Sequence, residues 1–120
     1  MRQNIARLTK TSPEILHLLS KDPSAKVRCL VANNPNTSIE ILNKILEKKN
    51  ENTNVFMNIA KNYNATPDLL HNLSLLNNRQ INFYIAQHRN TSYETLANLE
   101  KDESLKQLVI ENPNYINENI

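Results

Sequence analysis

Apolar residues recur along the chain in short groups that repeat about every 26 residues. Val27, Val55, Ile81 and Leu105 open equivalent segments, with Met1 in phase, and an apolar residue follows each of them four positions later. This spacing places both residues on one face of a short helix. We therefore predict about four and a half repeats, which span residues 1–26, 27–54, 55–80, 81–104 and 105–120.

Each repeat carries two helix-start signals. Ser24, Asn52, Asn78 and Asp102 precede the opening positions by three residues, where a side-chain oxygen can cap the first turn. After a polar turn comes a second Ser or Thr with an acid two residues later, at Ser12, Ser38, Thr66 and Ser92, although Ile116 stands at this position in the last repeat. Two apolar rows at i, i+3 spacing follow. Each repeat is thus a predicted helical hairpin, with an A helix and then a B helix. Stacked hairpins would form an all-α solenoid.

The repeat pattern is similar to that of a known family. It reads Val-x-x-x-Val-Ala-x-Asn-Pro-x-Thr-x-x-Glu-x-Leu-x-x-Leu, as in residues 27–45, and it resembles the leucine-rich repeat variant family of bacterial helical repeats. Asp22 and Asp102 resemble that family's acidic link between repeats, and Arg28 matches its frequent arginine. The resemblance implies a right-handed superhelix in which α-helices alternate with shorter, partly 3₁₀ helices, here the A helices. HEAT-like repeats are the nearest alternative architecture.

Composition narrows the possible functions. The chain has no glycine, so we expect asparagine to adopt the left-handed turn conformations that glycine usually takes. The net charge is +2, with +4 in residues 1–60 and −2 in residues 61–120. No apolar run approaches the roughly 18 residues of a membrane span, and the N-terminus lacks an apolar secretory block, so we expect a cytoplasmic protein.

We find no constellation that predicts catalysis. Cys29 is the single cysteine, which excludes an internal disulfide and a thiolate metal site, and we interpret it as a plain thiol. His17 and His71 lie two repeats apart, too far to share a metal, and we expect them and His88 to be solvated. The acids at Glu100 and Asp102 are interpreted as a solvated cluster. We expect no enzyme, cofactor, metal or small-molecule substrate.

The A helices carry an apolar row where solvent is expected. On a helical wheel the position two after the opening residue points outward, and it holds Gln3, Cys29, Met57, Phe83 and Gln107. One position earlier stands Phe56, in a row with Arg28, Asn82 and Lys106. Exposed apolar residues with a polar rim are typical of a protein-binding surface. The alternative is that a 3₁₀ helix or a register shift turns Met57 and Phe83 inward. A second candidate row, in the turns, contains Tyr63 and Arg89.

These features favour a non-catalytic protein that binds another protein. Small helical-repeat proteins of bacteria often act as adaptors or inhibitors, including immunity proteins that block a toxin. The alternative is nucleic-acid binding, with Tyr63 stacking on bases and phosphate contacts from Arg2, Arg7, Lys10, Lys26, Arg28, Lys61 and Arg89. The small net charge argues against that alternative.

Overall fold

The computed structural model describes residues 1–48 and 50–118, and within these residues the chain is all α-helical. The all-α prediction is therefore confirmed; residues 119 and 120 of the last predicted repeat lie outside the described residues. The A helices are α1 (Arg2–Arg7), α3 (Ala25–Asn33), α5 (Thr53–Lys61), α7 (Arg79–Gln87) and α9 (Lys106–Glu111). The B helices are α2 (Pro13–Leu19), α4 (Ile39–Leu46), α6 (Pro67–Ser74), α8 (Tyr93–Leu99) and α10 (Pro113–Glu118).

The chain divides into two compact units, an N-terminal unit of Met1–Asn64 and a C-terminal unit that begins at Ala65. In the N-terminal unit α3 packs against both α1 and α5. In the C-terminal unit α7 packs against α9, and α8 packs against both α6 and α10. Within each unit, consecutive A helices are therefore neighbours.

The predicted apolar rows form the core of these contacts. The opening residues Val27, Val55, Ile81 and Leu105 are buried, and so are the residues four positions later in the same repeats. Helices α2, α4, α6 and α8 bury leucine or isoleucine in both predicted rows, except that Leu19 is half-buried. Met1 differs, since it is 94% exposed although it is in phase with the buried positions.

Helices α3, α5 and α7 begin at their predicted capping residues Ser24, Asn52 and Asn78. The prediction of Asp102 as a helix cap is wrong, because α9 begins after Leu105 without a side-chain cap and Asp102 Oδ1 accepts from the Ser104 N–H within the preceding turn at 2.9 Å. Ser24 Oγ accepts a hydrogen bond from the Val27 N–H at 3.4 Å, and Asn78 Oδ1 accepts one from the Ile81 N–H at 3.1 Å. The B-helix caps Ser12, Ser38, Thr66 and Ser92 make the same type of bond. Each cap satisfies a backbone donor that the first helical turn leaves free.

The expectation of 3₁₀ A helices is wrong. Helices α3, α5 and α7 are regular nine-residue α-helices, longer than the B helices that follow them, and residues 1–48 and 50–118 contain no 3₁₀ helix. Hydrogen bonds of the 3₁₀ type occur at helix ends and in turns, as where the Asn34 N–H bonds to the Val31 carbonyl at 3.1 Å.

Asparagine takes the place of glycine in a different way from the one expected. Among the described residues only Asn77, just after α6, has a left-handed backbone, with φ of 56°. Asn34 and Asn62 end their helices with extended backbones instead, at φ values of −73° and −68°. Asn112 replaces the missing cap of the last repeat by accepting from the Asn114 N–H at 2.9 Å, so α10 begins earlier than the position of Ile116 suggests.

Candidate functional site

A row of buried asparagines ties consecutive repeats together. Asn34 is 3% exposed, and its Nδ2 donates to the carbonyls of Ala6 and Leu8 in the preceding repeat, at 2.8 Å each. Its Oδ1 accepts from the Asn36 N–H at 2.8 Å, which forms the turn to the B helix. One side chain therefore satisfies backbone groups of two repeats.

The same set of bonds recurs wherever an asparagine occupies this phase. Asn62 donates to the carbonyls of Ala32 and Asn34 at 2.8 and 3.1 Å. Asn112 donates to those of Ala86 and His88 at 2.9 and 3.1 Å. We call Asn34, Asn62 and Asn112 the asparagine ladder. The sequence analysis did not identify it, although the recurrence of Asn seven residues after the opening position was its visible signal.

Histidine occupies the ladder position in the fourth repeat. His88 is buried, and its Nδ1 accepts a hydrogen bond from the Asn90 N–H at 3.0 Å, the bond that Oδ1 accepts elsewhere. The prediction of a solvated His88 is therefore wrong. His71 is half-buried and its Nδ1 lies 2.8 Å from Thr95 Oγ1. Both histidines thus have structural contacts.

The links between repeats carry ion pairs. Arg28 contacts the Glu51 carboxylate with two nitrogens, Nε and Nη2, each at 3.0 Å, and its Nη1 donates to the Asp22 carbonyl at 2.6 Å. The Glu51 side chain is only 1% exposed. In the preceding link, Arg2 Nε lies 2.7 Å from Asp22 Oδ1. The acidic residues of these two links therefore form ion pairs with arginines of the same protein.

Burial and hydrogen bonding act in opposite directions on the Glu51 carboxylate. Burial raises its pKa, but hydrogen bonds from Arg28 and from the Asn52 N–H lower it by more, so the pKa of Glu51 lies below its usual value. The hydrogen bond to Glu51 in turn raises the pKa of Arg28. The pair is therefore charged at neutral pH.

The C-terminal unit has a more exposed version of this pair. Arg79 Nε lies 2.9 Å from Asp102 Oδ2, and the Arg79 side chain is 71% exposed. Hydrogen bonds from Ser104 and from Arg79 lower the pKa of Asp102. Glu100 accepts from the Tyr115 hydroxyl at 2.7 Å, so this acidic group has partners and is not simply solvated.

At the position two residues after the opening residue, which the helical wheel predicts to point outward, Phe83 and Gln107 are exposed. Phe83 is 45% exposed on α7, and its ring is nearly perpendicular to that of Tyr84, with the ring centroids 5.3 Å apart. Gln107 is exposed on α9 and its side chain donates to Glu111 at 2.5 Å. Cys29 and Met57 are half-buried, between the outward and inward alternatives.

In the row one position earlier, Lys106 is exposed, but Phe56, Asn82 and Arg28 are not exposed as the sequence suggested. Phe56 and Asn82 are each only 8% exposed, and Arg28 is held by Glu51. This position lies at the flank of the wheel, about 80° from the buried direction. In the second repeat the side chain at this position, Arg28, contacts Glu51 in the following link instead of solvent. Exposure of Phe56 and Asn82 was therefore wrongly predicted.

The Cys29 thiol has an environment that disfavours the thiolate. Burial raises the pKa of Cys29 by more than its hydrogen bond with Asn58 of α5 lowers it. The thiolate is the reactive form, so the neighbouring Arg28 does not convert this residue into an activated nucleophile. In the turn row, Tyr63 is 62% exposed and Arg89 is exposed, and the Arg89 carbonyl accepts from Asn114 Nδ2 at 2.7 Å.

These observations define an all-α protein of repeated helical hairpins whose successive repeats are joined by asparagine side chains. Within residues 1–48 and 50–118, no group of three or more His, Cys, Asp or Glu side chains could hold a metal ion. No helix in that part of the chain is both long and apolar enough to cross a membrane. Comparison with protein-family models, with curated proteins and with solved structures gives no match.

Proposed function

We propose that this chain is a non-catalytic helical-repeat protein that binds another protein through side chains displayed on its A helices. The observation that carries the proposal is Phe83, which stays 45% exposed on α7 although Ile81 and Ile85 on the same helix are buried. Aromatic side chains are over-represented at protein-binding surfaces, and Phe83 presents nearly half of its surface to solvent.

The contact set differs from the one the sequence suggests. In the C-terminal unit it contains Phe83, with Gln107 and Ile110 exposed on the neighbouring α9. In the N-terminal unit, Cys29 and Met57 present partly exposed apolar atoms on α3 and α5, and Tyr63 adds an exposed ring. Phe56, Asn82 and Arg28 act inside the protein and are left out of the set.

The family resemblance extends this proposal. Membership of the leucine-rich repeat variant family, with a right-handed solenoid, is supported by the repeat pattern and by hydrogen bonds that recur at the same phase. Such proteins display residues on a scaffold, so the role we propose is that of a cytoplasmic adaptor or inhibitor, including an immunity protein that blocks a bacterial toxin. The raised pKa of Cys29 supports a role without nucleophilic catalysis.

The test is an affinity capture from cells that produce the protein, with Phe83→Asp as the variant. We expect wild type to retain a specific protein and Phe83→Asp to reduce its recovery by at least about tenfold, because a charge replaces an apolar contact. Gln80→Asp is the matched control, since it adds the same charge at an exposed position of the same helix. Circular dichroism establishes that both variants are folded. Equal recovery with wild type and Phe83→Asp would reject the contact residue.

Salt and nuclease separate this function from nucleic-acid binding. A partner held by apolar contacts should survive high salt and nuclease treatment, whereas phosphate contacts weaken steeply as salt rises. Capture that disappears under either condition would favour the nucleic-acid alternative.

A further inference from the structure

The first repeat exposes apolar side chains at positions that the other repeats bury. Met1, Leu8 and Ile15 are 94%, 58% and 44% exposed. The residues that the structure describes at the same three phases of later repeats are all buried, namely Val27, Val55, Ile81 and Leu105, then Asn34, Asn62, His88 and Asn112, then Ile41, Leu69 and Thr95. These phases are therefore covered in repeats that follow another repeat and exposed in the first one. We call Met1, Leu8 and Ile15 the head face.

Leu8 stands at the phase of the asparagine ladder, where the side chain is directed at the preceding repeat. Asn34 Nδ2 at this phase contacts the Ala6 carbonyl of the preceding repeat at 2.8 Å, and the ladder bonds of Asn62 and Asn112 have the same direction. The first repeat thus presents an apolar side chain where other repeats present an amide donor. Terminal repeats of helical-repeat proteins usually have a polar outer face. The head face departs from that rule.

The last repeat has an exposed apolar residue at the phase that the ladder contacts. Five residues after the opening position, the four earlier repeats have a buried alanine, at Ala6, Ala32, Ala60 and Ala86. Ile110 occupies this phase in the last repeat and is 37% exposed on α9. We call Ile110, together with the carbonyls of Ile110 and Asn112 at the ladder-accepting phases, the tail face.

The two faces depart from the repeat pattern in complementary ways. Within the chain, the ladder asparagine and the alanine whose carbonyl it contacts are neighbours across two repeats, as Asn34 and Ala6 are. Leu8 replaces the asparagine in the first repeat, and Ile110 replaces the alanine in the last. A tail face that met a head face in the same register would therefore bring two large apolar side chains together, and their burial is favourable.

Lys10 keeps a hydrogen-bond donor at a second phase that contacts the preceding repeat. Asn36 Nδ2 at this phase donates to the Thr11 carbonyl at 2.6 Å, and Asn114 makes the equivalent bond in the last repeat. Lys10 is exposed and makes no ion pair within residues 1–48 and 50–118. The Tyr115 carbonyl is the matching acceptor phase of the last repeat, so the ammonium of one copy has an acceptor on another.

Charge favours contact between unlike ends. Residues 1–26 have five Lys and Arg residues against two Asp and Glu residues, a net charge of +3, whereas residues 105–120 have one against two, a net charge of −1. Two first repeats would repel each other, but a first repeat and a last repeat carry opposite charge. A head-to-tail contact is therefore preferred to a head-to-head contact.

We propose that a second copy of this chain covers the head face, with Ile110 of one copy packed against Leu8 of the other, so that the contact between repeats continues from copy to copy. The two surfaces differ, so the contact is heterologous and each added copy presents a free face of its own. The proposal does not rest on protein binding through Phe83. Ile110 belongs to both surfaces, but self-association is measured on the purified protein alone.

The experiment is sedimentation velocity of the purified full chain at concentrations from about 10 µM to about 1 mM. We expect the average mass to rise with concentration from that of one chain to at least that of two, with a Kd of about 100 µM, as suits a small interface. Because each added copy leaves a free face, the mass should continue to rise beyond that of two chains at the highest concentrations.

Two variants that each block one face make the test specific. Leu8→Asp sets a carboxylate against the carbonyls of the tail face, and Ile110→Asp sets one against Leu8, so each should weaken self-association at least about tenfold. Leu8→Asp keeps an intact tail face and Ile110→Asp an intact head face. An equimolar mixture should therefore form a complex of two chains and none larger. Circular dichroism establishes folding, and Ile110→Ala, which restores the residue of the other repeats, should weaken association at least about threefold even if Ile110→Asp does not fold.

Leu75→Asp is the matched control. It makes the same substitution at a leucine that is 61% exposed in the link after α6, away from both faces. This variant should associate as wild type does.

Several results would overturn the proposal. A chain that remains a single copy up to about 1 mM would mean that a second copy does not cover the head face. Association that Leu8→Asp leaves unchanged, or that Leu75→Asp weakens equally, would place the contact elsewhere. A mixture of the two blocked variants that forms no complex would exclude the head-to-tail arrangement.

Discussion

The side-chain amide of Asn34 makes three hydrogen bonds in a space that solvent hardly reaches. Only an amide of this length offers two donors toward the preceding repeat and an acceptor toward its own turn. Its exposed neighbour Asn33 has the same chemistry in contact with solvent. The two residues therefore allow the effect of position to be separated from that of residue type.

Asn34→Asp should destabilise the protein by about 3 kcal/mol, because it removes both donors and sets a carboxylate against the carbonyls of Ala6 and Leu8. Urea denaturation at pH 7 measures this change. Asn33→Asp, the matched control, should change stability by less than about 0.5 kcal/mol. Equal effects of the two substitutions would mean that the ladder does not stabilise the fold.

At the scale of elements, the link before α5 is fixed to α3 by the pair of Arg28 and Glu51. The carboxylate is almost fully covered, whereas the pair of Glu40 and Lys44 on α4 lies 3.5 Å apart at the surface with both side chains more than half exposed. Exposed pairs contribute little, and covered, hydrogen-bonded ones contribute more. The two pairs should therefore differ in their effect on stability.

Glu51→Gln should cost about 2 kcal/mol at pH 7, because it removes the charge that two Arg28 nitrogens contact. The folded-state pKa of Glu51 is lowered, so its stabilisation is present above the unfolded-state pKa, near 4.5, and is lost as the pH falls through the folded-state value. Urea denaturation from pH 7 to pH 3 should show the difference between wild type and Glu51→Gln shrinking in that acid range.

Glu40→Gln is the control for this titration, and we expect an effect below about 0.5 kcal/mol throughout. A gap between wild type and Glu51→Gln that stays constant down to pH 3 would show that the Glu51 charge is not the cause.

At the scale of the whole molecule, charge is distributed unevenly between the two units. The N-terminal unit has ten Lys and Arg residues against five Asp and Glu residues, but Arg2 and Arg28 are paired with Asp22 and Glu51. Two of the seven cations that a nucleic-acid interface would need are thus already neutralised, and the C-terminal unit is acidic. We therefore expect the protein to attract nucleic-acid phosphates only weakly.

We expect a fluorescent 20-nucleotide single strand to bind with a Kd weaker than about 10 µM at 150 mM salt. Fluorescence anisotropy measures this affinity, and a titration at lower salt reveals any electrostatic component. Submicromolar binding at 150 mM salt that Tyr63→Ala abolishes would contradict the prediction and favour the nucleic-acid function.

The fold was largely predictable because burial follows the apolar rows and most helices begin at their predicted caps. Val27 and Val31 are buried four residues apart, and Ser24 caps the helix that contains them. The helical wheel wrongly predicted that Phe56 and Asn82 are exposed. A residue at the flank of a helix can be covered by side chains of the link to the next repeat. That depends on side chains distant in sequence, which a single helix does not reveal.

The candidate site was less predictable for a related reason. Asn34 and Asn82 are the same residue type in similar polar surroundings of the sequence, yet one has three partners and the other has a buried oxygen without any. The difference arises from what surrounds each amide: the preceding repeat presents two carbonyls to Asn34 Nδ2, whereas no donor among the described residues reaches Asn82 Oδ1.

The asparagine ladder also bears on how the protein ages. Asparagine deamidates when the backbone nitrogen of the following residue attacks its side-chain carbonyl, and this reaction is fastest before glycine, which the chain lacks. Proline follows both Asn34 and Asn112, and its nitrogen carries no hydrogen for that cyclisation. Hydrogen bonds to the backbone also hold these amides away from the attacking geometry. The side chains that join the repeats are therefore among the asparagines best protected from chemical decay.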